Sequence, residues 1–345
     1  MDSRRKTGLQ IQSMFLRTQF RKNWFILAIL VSFSLGLLLP GGDEILNPGG
    51  KVKTLLVYAL LFLAGLAIPT ERILEDLKEY RLHLFIQAVI FIVYPLVTWL
   101  LLLPFGGMMH PVIRTGILAL SCLPATVSSC IVFTQVSGGN VTAAVFNAAV
   151  SNALGVLATP LLFSLLIASG GAAFQAVSPR EVYLGLFRII LLPILAGQAV
   201  RLPLRAFAES HKGALSMLSN LIIFFLIYFA VARSSQAILT SASFALFALP
   251  LGFLSVLNIL VLLGLYYVGK FAGFSEQDRL TTLYVGSHKT LALGLPLTAA
   301  VFGADSPEYG FIILPLLFYY NIQLVSSGII RSYIAPRLFS CSDEP

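Results

Sequence analysis

The chain has 345 residues, of which 57% are hydrophobic and only 11% are charged, and its mean hydropathy is +0.88. A soluble domain of this length needs far more charge to keep its surface in water, so the composition excludes one and favours a protein exposed to lipid. The net charge of +8 does not indicate nucleic-acid binding, because the basic residues lie in the N-terminal tail and at the ends of apolar segments.

Apolar segments recur along the chain at the length needed to cross a bilayer core of about 30 Å. The first follows a basic segment and is not followed by a small-x-small cleavage site, so we predict that it is retained as a span. These patterns predict an all-α integral membrane protein with ten transmembrane helices. The predicted spans are 24–39, 54–69, 82–103, 113–135, 140–168, 183–200, 217–235, 244–269, 279–302 and 309–335.

The loop charges test this count, because successive loops alternate between the two sides of a membrane. With ten spans, most lysines and arginines lie on the side that also carries both termini. We therefore predict a multi-pass protein of a plasma membrane, such as a bacterial inner membrane, with both termini cytoplasmic. None of the acidic residues lies deep in a predicted span, which argues against coupling through a carboxylate at mid-membrane.

The fourth and ninth predicted spans are both interrupted. Residues 121–130 combine Pro124 with a run of hydroxyl side chains, and residues 284–296 combine glycines, hydroxyls, two ionisable side chains and Pro296. Proline removes a backbone donor, and nearby hydroxyls can satisfy the freed groups. Ordinary proline kinks are the alternative interpretation of each segment alone.

The positions of the two interruptions favour a functional site. Each lies in the fourth of five spans in its half of the chain, and broken helices at matching positions indicate a transporter site. The sequence thus predicts two inverted five-helix repeats, 24–168 and 183–335, joined by a linker at 169–182. Residues 1–23 and 336–345 are predicted to be cytoplasmic tails.

Lys289 is the most informative residue, because an ammonium near the bilayer centre costs about 2.5 to 3.5 kcal/mol and needs water or partners. A lysine that extends to the membrane surface is the alternative. His288 beside it either takes part in the site or packs structurally. The intramembrane amides of Gln87, Asn147 and Gln323 could face the breaks, or could form ordinary interhelical hydrogen bonds.

These segments resemble the bile acid:sodium symporter family. The resemblance is carried by Leu123–Ser129, by Gly138–Asn140 with Ala143–Asn147, by Ser287–Pro296 and by Leu82–Gln87. It implies a panel of spans 1, 2, 6 and 7 and a core of spans 3–5 and 8–10, in which helices 4 and 9 cross where they unwind. It also implies alternating access, with the core moving against the panel.

The resemblance implies a first ion site at residues that match Ser128, Ser129 and the Asn147 region. The sequence departs from the family at the second site, because Tyr284–Thr290 contains no acidic residue and Ile90 stands where the family has a glutamine. Gln87 lies one turn away. We therefore hypothesise that the Lys289 ammonium supplies the positive charge that sodium supplies in relatives.

The predicted function is secondary transport of a small organic anion, because helix N-termini and Lys289 both favour negative charge. The alternative is a non-transporting membrane regulator of ion homeostasis. No enzyme is predicted, because paired aspartates, a His-Glu metal motif and a Ser-His pair with an orienting carboxylate are absent from the sequence. No cofactor is predicted, and both the coupling role of sodium and the oligomeric state are left open. The candidate substrate-binding residues are Ser128, Ser129, Asn147, Ser287, His288, Lys289, Thr290 and Gln323, and the candidate ion-binding residues are Ser128, Ser129, Asn147 and Gln87.

Overall fold

The computed structural model describes residues 27–68, 79–170, 179–240, 244–303, 306 and 308–335, and the regular elements within these ranges are helices. The predicted N-terminal and C-terminal tails and most of the linker 169–182 lie outside them. The helices are α1 (Leu27–Leu38), α2 (Gly42–Leu46), α3 (Lys51–Ala67), α4 (Tyr80–Ala88), α5 (Tyr94–Phe105), α6 (Pro111–Ser121), α7 (Ser128–Val136), α8 (Val141–Gly170), α9 (Pro179–Arg201), α10 (Arg205–Ser210), α11 (Lys212–Thr240), α12 (Phe244–Phe271), α13 (Glu276–Ser287), α14 (Leu291–Phe302) and α15 (Tyr309–Ile329).

The long helices lie where the hydropathy pattern predicts spans. In the described part of the chain, six segments are long and apolar enough to cross a membrane: Pro48–Ala67, Tyr80–Met108, Val141–Leu166, Lys212–Gln236, Leu246–Phe271 and Tyr309–Ile334. Shorter apolar helices occupy the first, fourth and sixth predicted spans. The protein is therefore an all-helical integral membrane protein, as predicted, while the count of ten spans and the inverted repeat stay predictions.

Two further features shape the bundle interior. A π-helical turn, Val89–Val93, joins α4 to α5 and makes one long helix of them. The fourth and ninth predicted spans are each split into two helices, α6 with α7 and α13 with α14. The second split is shorter than the sequence suggests, because Pro296 lies inside α14 rather than in the break.

Contacts between helix ends agree with the predicted alternation of the loops between the two sides of the membrane. At the predicted cytoplasmic end, the Asn140 side chain in the α7–α8 turn donates to Asp278 at the start of α13 (2.9 Å). At the same end, Arg201 at the end of α9 donates to the Leu66 carbonyl at the end of α3 (2.9 Å). Loops that the prediction places on one side of the membrane are thus in contact.

The predicted outer end shows the same agreement. The Tyr228 hydroxyl of α11 donates to the Leu39 carbonyl after α1 (3.0 Å). The rings of His110, before α6, and Phe311, in the first turn of α15, are stacked with centroids 5.4 Å apart. Leu39, His110 and Phe311 lie within a few residues of span ends that the prediction places on that side. Tyr228 lies in the outer half of the predicted span 217–235.

Helices α3 and α9 approach each other most closely at two glycines. A Cβ atom built on Gly65 would lie 2.2 Å from the Ile194 carbonyl oxygen, and one built on Gly197 would lie 2.2 Å from the Phe62 oxygen. Small residues at a crossing allow membrane helices to pack backbone against backbone. This pair therefore forms a tight unit beside the broken helices.

We expect Gly65→Ala to destabilise the protein, because its new methyl group meets backbone that cannot move without separating α3 from α9. Overpacking of this kind costs about 1 to 3 kcal/mol, so the melting temperature in detergent should fall by several degrees. Gly264→Ala in α12 is the matched control, because no atom lies within 4 Å of its Cβ position. Equal melting temperatures for the two variants would contradict the close approach.

Candidate functional site

The two breaks in the helices lie against each other. Helix α6 ends at Ser121 and α7 begins at Ser128, while residues 288–290 separate α13 from α14. The Thr290 backbone N–H donates to the Pro124 carbonyl (3.1 Å), which joins the two unwound segments directly. The ends of four half-helices therefore meet in the interior of the bundle.

The Lys289 side chain extends across this junction and is buried, with 2% of its surface exposed. Its ammonium donates to the backbone carbonyls of Ile90 (3.0 Å), Ser121 (3.0 Å) and Leu123 (2.8 Å). It also lies 4.2 Å from the centroid of the Tyr94 ring. An ammonium has three donors, so all of them are used by these carbonyls, and the ring face adds a cation–π contact. The lysine does not extend to the membrane surface.

The carbonyls around Lys289 are available because the helices are irregular there. Ser121 ends α6, and Leu123 lies just beyond it, where helical carbonyls lose their usual donors and the helix dipole is negative. Ile90 lies in the π-turn, which interrupts the regular α-helical ladder. The position that carries a glutamine in the resembled family thus contributes its main-chain oxygen instead of a side chain.

His288 forms a second bridge in the junction. Its Nδ1 lies 3.0 Å from the Ser129 hydroxyl, and its Nε2 lies 2.7 Å from the Ser327 hydroxyl. Ser327 donates its own proton to the Gln323 carbonyl (2.7 Å), and Ser129 donates to the Thr126 hydroxyl (2.9 Å). Both ring nitrogens of His288 are thus engaged by hydroxyl groups that are themselves hydrogen-bonded. His288 therefore ties α7 to α15.

Helix α8 supports the first break. Ser151 accepts a hydrogen bond from the Ala125 N–H (3.3 Å), and the Asn152 amide donates to the Ala125 carbonyl (2.8 Å). Thr159 donates to the Cys122 carbonyl (2.9 Å). Unwound backbone inside a bilayer requires such partners. These three side chains were not among the candidate site residues from the sequence, although polar residues about two turns apart on an apolar span are a usable signal.

Helix α15 supports the second break in the same way. The Gln323 amide accepts from the Lys289 N–H (2.8 Å) and donates to the Lys289 carbonyl (3.2 Å). The Tyr319 hydroxyl donates to the Ser287 carbonyl (2.7 Å). Gln323, a candidate residue from sequence, is thus at the site and positions Lys289 through its backbone.

Three other candidate residues from the sequence lie away from the Lys289 junction. Asn147 does not contact the break, because its amide donates to the Ala143 carbonyl and contacts the His83 ring, and accepts from Gln87. The Gln87 Oε1 atom is buried without a partner. Ser128 is exposed at the start of α7, and within the described residues no group of three His, Cys, Asp or Glu side chains forms a metal site.

Two hydroxyl candidates have local structural roles. The Ser287 hydroxyl donates to the Leu283 carbonyl in its own helix (2.5 Å). The Thr290 hydroxyl caps α14 by accepting from the Ala292 N–H (3.2 Å). The geometry therefore brings Ser129, His288, Lys289, Thr290 and Gln323 together and leaves Ser128, Asn147 and Gln87 at the edge or outside.

We expect Gln323→Leu to destabilise the second break, because it leaves the buried N–H and carbonyl of Lys289 without their hydrogen-bond partner. Each unsatisfied buried group costs about 1 to 3 kcal/mol, so the melting temperature should fall clearly. Asn321→Leu is the matched control, since this half-buried amide on the same helix donates to the Leu317 carbonyl of α15 itself. A Gln323→Leu protein as stable as Asn321→Leu would show that the bridge does not support the break.

Comparison with known proteins shows the family of the chain. The profile of the SBF-like CPA transporter family matches residues 23–336, nearly the whole chain. The chain belongs to this family. The family is one of transporters, so the protein is not an enzyme, as the sequence predicts.

Curated relatives cover the chain almost from end to end. Sodium/bile acid cotransporter 7 of Xenopus tropicalis is 29% identical over 326 residues, which span 92% of this chain and 93% of the relative. The Rattus norvegicus protein of the same name is 29% identical over 336 residues, with coverages of 94% and 97%. An uncharacterised protein of Pseudomonas aeruginosa is 31% identical over 324 residues, with coverages of 93% and 95%. These relatives confirm the resemblance to the bile acid:sodium symporter family.

Proposed function

We propose that the protein is a secondary transporter that moves a small organic anion by alternating access, with the Lys289 ammonium as a built-in cation in place of a bound sodium ion. The observation that carries this proposal is the set of three carbonyl oxygens around the Lys289 nitrogen. Rings of backbone carbonyls are the ligands with which membrane proteins replace the hydration shell of an alkali cation.

The arrangement favours an anionic substrate. The ammonium brings one positive charge to the bilayer interior, and the N-termini of α7 and α14 add the positive ends of two helix dipoles. Because all three ammonium protons are used in this conformation, Lys289 acts on the substrate through its charge rather than through a direct contact. The exposed hydroxyl of Ser128, at the start of α7, is the proposed direct polar contact.

The names of the relatives give the substrate class a starting point. The curated cotransporters are named for sodium and bile acids, which are amphipathic organic anions. We propose a substrate of this chemistry, a carboxylate or sulfonate on an apolar body. If a sodium ion also takes part, the free Gln87 oxygen beside Asn147 is the ligand that the first predicted ion site retains.

The proposal includes the layout of the chain in the membrane. Ten spans in two inverted repeats, 24–168 and 183–335, with a panel, a core and both termini in the cytoplasm, are supported by the contacts between helix ends described above. The parallel support of the first break by α8 and of the second by α15 also favours the repeat, because each supporting helix is the fifth in its half.

Uptake into proteoliposomes tests the proposed function. Purified protein should accumulate a radiolabelled conjugated bile acid, or another amphipathic anion from a panel, above the level of empty liposomes and of liposomes with a heat-denatured sample. Binding would also raise the melting temperature of the purified protein. If no anion of the panel is moved or bound by folded protein, the proposal fails and the non-transporting regulator is favoured.

A further inference from the structure

Burial changes midway along two long helices. In α11, Ile227 and Ala230 are fully buried, whereas Met217 and Leu218, nearer the predicted cytoplasmic end, are 57% and 47% exposed. In α15 the first nine residues are buried, and Val325 in the second half is 62% exposed. Both helices are thus enclosed at the predicted outer end and less enclosed at the other.

The broken helices show the same asymmetry in their neighbours. Helix α14, the outer half of the ninth span, packs against α3, α9 and α11. Its cytoplasmic counterpart α13 packs against α7, α8, α12 and α4, and α7 also packs against α8. In the part of the chain that the structure describes, neither α7 nor α13 forms a comparable contact with α3, α9 or α11. The group of α3, α9 and α11 is therefore in close contact with the broken helices at the predicted outer end and apart from them at the predicted cytoplasmic end.

The close end contains a specific contact between α11 and α15. The Gly310 N–H, in the first turn of α15, donates to the Ser234 hydroxyl of α11 (2.8 Å), and both residues are buried. The first N–H groups of a helix have no partner within it, so α11 caps α15 from across the interface. A Cβ atom on Gly310 would lie 2.6 Å from Ser234 Cβ, so the contact has no room for a side chain.

We infer that this structure is the conformation open to the predicted cytoplasmic side, and that the Ser234–Gly310 contact is the gate that closes the outer end. The inference rests on the proposed alternating access. Opening to the outside separates α11 from α15, which breaks the cap and exposes the Gly310 N–H to water. A side chain at position 310 prevents closure and shifts the population towards the outward-open conformation.

Labelling of a single cysteine tests the gate. The full-length protein carries Ala230→Cys, one turn before Ser234 on the same face of α11, with the natural cysteines 122, 130 and 341 replaced. In membranes, a maleimide that cannot cross the bilayer is added to either side in separate samples. The added methyl group of Gly310→Ala overpacks the contact and shifts the equilibrium towards the outward-open conformation. The labelling rate from the outer side should therefore rise about tenfold or more.

Two variants make the result specific. Gly328→Ala lies in the same helix, where nothing is within 4 Å of the Cβ position, and should leave labelling unchanged. Ser234→Gly combined with Gly310→Ala removes the clashing side chain and should lower the rate again towards that of Ser234→Gly alone. Equal labelling in Gly310→Ala and Gly328→Ala, or no effect of the second substitution, would overturn the gate.

A second variant and a measurement of anion uptake complete the test of the gate. If Gly310→Ala does not fold, Ser234→Ala, which removes only the cap, should still raise outer-side labelling several-fold, and unchanged labelling would contradict the inference. Anion uptake by the same samples separates the two proposals. Uptake with unchanged labelling refutes the gate alone, whereas shifted labelling without uptake of any anion supports the gate and refutes the transport function.

Discussion

Lys289→Met is expected to abolish anion transport while leaving most of the protein folded. Methionine fills a similar volume but carries no charge, so the breaks lose their built-in cation. At an effective dielectric constant of about 20, a unit charge about 5 Å from an anion contributes about 3 kcal/mol. Anion affinity should therefore fall about 100-fold, and uptake should fall to the background level.

Stability should change less than transport in this variant, because two effects oppose each other. Three buried carbonyls lose their donor, which costs about 1 kcal/mol or more each. The cost of burying the ammonium, about 2.5 to 3.5 kcal/mol, disappears at the same time. The expected melting temperature lies within several degrees of the wild type, as measured in detergent.

Lys270→Met is the matched control, since this lysine is exposed at the end of α12. Its uptake and melting temperature should equal those of the wild type. Unchanged uptake by Lys289→Met, with Lys270→Met as reference, would mean that the buried charge has no part in transport.

Lys289→Ala is expected to acquire a requirement for a monovalent cation. Truncation to alanine leaves space where the ammonium was, surrounded by the Ile90, Ser121 and Leu123 carbonyls and faced by the Tyr94 ring. A cation at about 100 times its Kd stabilises the folded state by about 2.7 kcal/mol. Sodium or potassium should therefore raise the melting temperature of this variant by several degrees.

The measurement compares sodium, potassium and N-methylglucamine chlorides at equal ionic strength, so that general salt effects cancel. The wild type and Lys270→Ala should show the same melting temperature in all three salts. If Lys289→Ala behaves as they do, the carbonyls do not form a cation site, and the ammonium is better described as a helix cap.

The spans and the breaks were predictable because their signals are local in the sequence. Hydropathy, loop charge and the Pro124 region with its hydroxyls each act within one or two helical turns. The limits of the second break were less predictable, since Pro296 is accommodated inside α14. It was predictable that Lys289 would need buried partners, because an ammonium with apolar sequence on both sides must find acceptors inside the bundle.

The partners of Lys289 were not predictable. They are backbone carbonyls, so the side chains of Ile90 and Leu123 give no sign of them. From the sequence, Asn147 could face the break or form an ordinary interhelical hydrogen bond. The structure shows the second, with Gln87, while Ser151 and Asn152 meet the break. The two sets lie about one turn apart, and only the packing of α8 against α4 and α6 decides which of them meets the unwound segment.

Uptake measured with and without sodium tests the central claim most directly. Wild-type protein and Lys289→Ala are reconstituted side by side, and uptake of the same anion is followed in sodium and in N-methylglucamine. The account predicts equal uptake by the wild type in both media, and uptake by Lys289→Ala that is absent without sodium and partly restored by it. Full uptake by Lys289→Ala in both media would contradict the role of the ammonium as a built-in cation.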